Sequence, residues 1–124
     1  MKSFAPLTAM ALTAMLLALP AQAQRAVNLQ ARTAGDLADL CATNPKDALG
    51  DAKINFCHGF AQGAITVELR HSEGKKLFCI PNPAPTRTAT MTEFVNWVRA
   101  MPDRRGETAV EGFFKFLGER FPCK

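Results

Sequence analysis

The chain has no tyrosine, a single tryptophan (Trp97) and only two serines, Ser3 and Ser72. It also lacks a Cys-x-x-Cys pair, a His-x-x-x-His or His-Glu-x-x-His motif, a Gly-x-Ser-x-Gly elbow and a glycine-rich phosphate loop. Each absence removes a class of chemistry. Cys41, Cys57, His58, His71 and Cys79 are conceivable metal donors, but structural zinc sites use closely spaced ligand pairs. Covalent haem attachment needs Cys-x-x-Cys-His, whereas Cys57-His58 follows Asn55-Phe56. Ser72 sits beside His71 in a glycine-containing turn, and sequence neighbours seldom reach the geometry of a nucleophile and its base. No catalytic residue, cofactor or metal is therefore expected, and the chain does not read as an enzyme. His58 could titrate as a switch, but a structural histidine on a helix is the preferred reading. Basic residues are scattered, with local groupings only at Arg70, Lys75-Lys76 and Arg104-Arg105. Nucleic-acid recognition calls for a concentrated basic stripe with stacking aromatics, so no nucleic-acid partner is expected.

What is present begins with an export signal. Lys2 precedes an almost uncharged apolar run from Phe4 to Leu19, and Ala21-Gln22-Ala23 is a small-x-small cleavage site. These are the three zones of a secretory leader, and the run is short for a membrane span of ~20 residues. Residues 1–23 are read as signal peptide, 24–32 as an N-terminal arm and 33–124 as one domain outside the membrane. Loss of Lys2 with the leader lowers the net charge from +4 to +3.

All four cysteines, Cys41, Cys57, Cys79 and Cys123, follow the leader. An even number in a small exported domain reads as a disulfide framework. Three pairings remain possible, and Cys41–Cys57 with Cys79–Cys123 is the expected one. In the chain-entropy picture these contribute ~3 and ~4 kcal/mol, comparable with the ~5–15 kcal/mol that holds a domain together.

Four helices and no strand are expected. Thr33 is an N-cap with Asp36 in the first turn, opening a helix that Asn44-Pro45 ends. The next should start between Pro45 and Asp51 and reach about Leu69. Its stripes, Ile54-Cys57-Ala61-Ile65-Leu69 and Phe56-Phe60-Val67, predict a helix buried on much of its circumference. Gly59 and Gly63 are expected to admit a close neighbour. Pro81, Pro83 and Pro85 exclude helix after Leu77-Phe78-Cys79-Ile80. Thr90 to Glu93 matches a capping box ahead of Phe94, Val95, Trp97, Val98 and Met101. Thr108 to Glu111 is a second match, ahead of Val110, Phe113, Phe114, Leu117 and Phe121. The expected fold is an all-α, disulfide-stapled bundle.

Four landmarks in order carry a family resemblance. Thr33-Ala34-Gly35-Asp36-Leu37 with Cys41, Phe56-Cys57-His58-Gly59-Phe60-Ala61-Gln62-Gly63, Phe78-Cys79-Ile80-Pro81 and Phe121-Pro122-Cys123 together resemble the Rap/Tai family of type VI secretion immunity proteins. The resemblance implies a periplasmic, helical, disulfide-bonded protein that binds a peptidoglycan amidase effector and occludes its active site, often as a homodimer. Contact with the effector is expected through exposed loops, by Asp103, Arg104 and Arg105 or by His71 and Lys75. A periplasmic stress or chaperone-like helical protein without a toxin partner is the alternative; such proteins are typically acidic, and this chain is basic.

Overall fold

A computed structural model describes residues 29–124; the leader, its cleavage point and residues 24–28 of the arm lie outside the described residues. Four α-helices form: α1 (Ala34–Cys41), α2 (Gly50–His71), α3 (Arg87–Ala100) and α4 (Ala109–Arg120), with a 3-10 turn at Pro102–Gly106 before α4. Among the described residues there is no strand, and the one isolated bridge pairs Thr33 with Thr108. No described helix is long and apolar enough to cross a membrane.

Helix α1 opens as the sequence predicts. The Thr33 side chain accepts a hydrogen bond from the Asp36 N–H, and the Asp36 carboxylate accepts from the Thr33 N–H in return. Such a reciprocal cap satisfies two donors that the first turn leaves without partners. Helix α4 has the same N-cap but not the reciprocal bond: Thr108 accepts from the Glu111 N–H, and its hydroxyl donates to the Glu111 carboxylate at 2.6 Å. The two helix starts are also tied together. The Ala34 N–H donates to the Glu107 carbonyl at 2.8 Å, and the Ala109 N–H to the Arg32 carbonyl at 3.0 Å.

The core lies between α1, α3 and α4. Ala34, Leu37 and Ala38 of α1 meet Met91, Phe94, Val95 and Val98 of α3 and Ala109, Phe113, Phe116 and Leu117 of α4. Phe94 is its hub, edge-on to Phe113 at 5.4 Å and to Phe116 at 5.5 Å between ring centroids, a preferred arrangement of aromatic quadrupoles. The buried face of α4 is turned from the one expected: Phe116 is inside, whereas Val110 is exposed and Phe114 only partly covered.

Two further expectations are corrected. Helix α3 starts three residues before Thr90, at Arg87, with Thr86 as N-cap accepting from the Ala89 N–H. Thr90 lies within the helix and its hydroxyl donates to the Thr86 carbonyl, while Glu93 turns to Arg120 instead of back to the backbone. Helix α2 is the longest, but it is not central. Only Gly50, Cys57 and Ala61 are buried in it, and Val67 and Leu69 are 59% and 47% exposed. The apolar stripes were real, but the other helices fill the core first and leave α2 packed on one side.

Both disulfides form as expected, Cys41–Cys57 joining α1 to α2 and Cys79–Cys123 joining the α2–α3 connection to the C-terminal segment. Phe78, buried against Phe114, anchors that connection from within. The α1–α2 turn is shaped by Gly50: a Cβ there would lie 2.2 Å from the Asn44 carbonyl oxygen. Leu49 beside it takes a left-handed conformation, φ 64°, at a backbone cost of about 1–2 kcal/mol.

Close approach between helices occurs at Gly112, not at Gly59 or Gly63. A Cβ on Gly112 would come 2.8 Å from the Ala34 Cβ, whereas nothing lies within 4 Å of one placed on Gly59 or Gly63. Gly112→Ala is expected to destabilise by about 1–3 kcal/mol, as overpacking does. Gly59→Ala and Gly63→Ala are each expected to stabilise by up to ~1 kcal/mol through helix propensity. Thermal unfolding of the three variants checks the opposite signs.

Candidate partner-binding surface

The residues expected to meet a partner fall on two separate segments. His71 closes α2 and Lys75 lies in the turn that follows, both exposed. Asp103, Arg104 and Arg105 belong to the 3-10 turn between α3 and α4. No hydrogen bond or ion pair among the described residues joins the two segments.

The two arginines of the 3-10 turn are engaged within the molecule. The Arg104 guanidinium lies over the Trp97 ring, 3.9 Å from its centroid, and donates to the Trp97 carbonyl at 2.7 Å. Glu119 sits 3.8 Å from the same guanidinium and accepts from the Trp97 indole N–H at 2.6 Å. Only 17% of the Arg104 side chain is exposed, so this cation–π contact is partly shielded from water and correspondingly stronger. Arg105 pairs with Asp39 of α1 at 2.7 Å. Its guanidinium is held protonated above the ordinary arginine range by the Asp39 hydrogen bond and charge. Arg104 and Arg105 thus fasten the turn to α3, α4 and α1. Asp103, His71 and Lys75 are exposed and make no side-chain hydrogen bond or ion pair among the described residues.

Other exposed features were missed as contact candidates. Leu77 is 51% and Ile80 36% exposed, and residues 79–85 are exposed throughout, with three prolines. The segment is tied down at its start by the Phe78 anchor, the Cys79–Cys123 bond and a hydrogen bond from the Cys79 N–H to the Phe121 carbonyl at 2.8 Å. An exposed apolar segment so constrained loses little conformational freedom when a partner covers it. The proline cluster was the available signal. The Arg104–Trp97–Glu119 cluster had none, because it joins three separate elements. Among the described residues, no group of three His, Cys, Asp or Glu side chains is placed to hold a metal.

The model of the Rap1a immunity proteins matches residues 33–123. This chain belongs to the Rap1a immunity protein family. The matched span opens at the Thr33 cap and closes at Cys123, and so takes in both disulfides. Rap1a proteins are type VI secretion immunity proteins and are not enzymes, and that role implies a cognate toxin as partner. Family and disulfides together indicate an oxidising, periplasmic compartment. Searches of the curated proteins and of the solved structures return no match.

Two outcomes test the electrostatics of the scaffold. Arg104→Ala is expected to cost about 1–2 kcal/mol and to shift the emission of Trp97, the only tryptophan, to the red; unchanged fluorescence and unfolding would remove the clamp. The second concerns acid. Hydrogen bonds from Thr33 hold the Asp36 carboxyl below its usual range, and the Arg120 hydrogen bond does the same for Glu93. The folded state therefore binds these protons less readily than the unfolded chain. Their stabilisation is present above the ordinary carboxylate range and is lost as pH falls through the depressed folded values. Urea midpoints are expected to fall below about pH 4, with a smaller acid loss in Asp36→Asn/Glu93→Gln.

Proposed function

We propose that this Rap1a protein is exported by its N-terminal leader and neutralises a peptidoglycan amidase that type VI secretion delivers to the periplasm. Binding covers the amidase's catalytic groove and excludes the wall peptide. The match of the immunity family across residues 33–123 carries the reading. The leader pattern in residues 1–23 and the two disulfides support the compartment. On this reading the contact is made by surface that the fold does not use for itself: Asp103 at the 3-10 turn, or His71 and Lys75 with the neighbouring Leu77 and Ile80. Arg104 and Arg105 act behind Asp103 by holding the turn in place. The homodimer implied by the resemblance is part of the same proposal.

The test begins with a peptidoglycan amidase, sought first among the reading frames beside this chain's gene. Purified together, the two are expected to form a stoichiometric complex with a Kd near or below about 10 nM, as tight inhibitory interfaces reach, and hydrolysis of peptidoglycan is expected to stop. Asp103→Lys and Lys75→Glu/Ile80→Glu, compared by calorimetry, separate the two segments; the one at the interface should lose at least about tenfold in affinity, or 1.4 kcal/mol. Undiminished hydrolysis at saturating protein would overturn the proposal, and light scattering of the free protein reads its oligomeric state.

A further inference from the structure

The two disulfides lie in different surroundings. Cys57 is 1% exposed and Cys41 is partly covered at the end of α1. Cys79 and Cys123 are both exposed. Cys79 also lines an open groove of about 720 Å³ with Ile80, Pro81, Pro83, Phe121 and Lys124. Thiol–disulfide exchange needs a thiolate to reach one sulfur along the axis of the bond, so access decides which disulfide reacts. The core bars that approach to Cys57, and Cys41 is partly covered beside a smaller hollow of about 320 Å³, whereas Cys79 and Cys123 are both exposed and Cys79 borders the larger groove.

We infer that Cys79–Cys123 is a site of reversible thiol–disulfide exchange with a dithiol oxidoreductase, and that Cys41–Cys57 is a permanent staple. The first thiolate of the reductant attacks Cys79 Sγ. The Cys79–Cys123 bond breaks and Cys123 leaves as a thiolate, which takes a proton from water. The second thiolate of the reductant then attacks the mixed disulfide, forming the reductant's own disulfide and releasing Cys79, protonated in turn. Two electrons pass from the dithiol to the protein. Cys123 Sγ already lies 3.9 Å from the Lys76 carbonyl, an acceptor for the thiol once it forms.

The contacts around this bond do not pass through its sulfurs, and the core and Cys41–Cys57 remain to offset the ~4 kcal/mol that its loss costs. Phe78 stays buried against Phe114, and the hydrogen bond from the Cys79 N–H to the Phe121 carbonyl does not depend on the sulfurs. Reduction unfastens the proline-bearing segment from the C-terminal tail and leaves the core and the α1–α2 link as they were. The exchange is a property of this chain's own sulfurs, and it holds whichever toxin is the partner.

The experiment exposes the oxidised protein, without denaturant, to limiting dithiothreitol and in parallel to reduced thioredoxin, with alkylation and peptide mapping over time. Both reductants are expected to make Cys79 and Cys123 alkylatable at least about tenfold faster than Cys41 and Cys57. The far-UV circular dichroism should stay constant, and oxidised glutathione should restore the bond. Equal labelling of all four cysteines would overturn the inference, as would first labelling at Cys41 and Cys57 or resistance to thioredoxin. Cys79→Ser/Cys123→Ser is expected to fold with its one remaining disulfide resistant to both reductants; ready reduction of that bond would show that burial does not protect it.

Discussion

Helix α1 is held at both ends, and the rest of the molecule is arranged around it. At its start, two backbone hydrogen bonds join Arg32 and Ala34 to the entrance of α4. At its end, Cys41 is bonded to α2. Eight residues are too few for a stable isolated helix in water, since a costly nucleus is repaid by only a few hydrogen bonds. Tethers, a reciprocal cap and burial of Ala34, Leu37 and Ala38 supply what length does not. Because α1 touches α2, α3, α4 and the 3-10 turn, fixing it fixes their relative placement.

The parts legible in the sequence were those written in neighbouring residues. Thr33 with Asp36 and Thr108 with Glu111 are local caps. Prolines 81, 83 and 85 bar helix whatever surrounds them, and four cysteines in a small domain limit the pairings to three. The all-helical class followed; the choice among the three pairings did not, and the one expected is the one that forms. What failed depended on distant chain. The apolar stripes of α2 could not show that α3 and α4 would fill the core with Phe94, Phe113 and Phe116 and leave Val67 and Leu69 outside. The Thr90 box matched its pattern, but Glu93 had a stronger partner in Arg120, twenty-seven residues on.

The same distinction explains the surface. Arg104 and Arg105 looked like a free basic pair because sequence shows charge and not its partner. In the fold, Trp97, Glu119 and Asp39 take them up, and the turn that carries them is braced against three helices. The 79–85 segment is braced differently, by proline and a covalent bond instead of ion pairs. Both are tied to the scaffold.

The one-sided packing of α2 has an evolutionary consequence. Asn55, Gly59 and Gly63 face water and make no side-chain contact with another helix, so replacing them disturbs nothing in the core. At α1 nearly every substitution meets a neighbour. Substitution can therefore rework the outer flank of α2 while the scaffold keeps its shape.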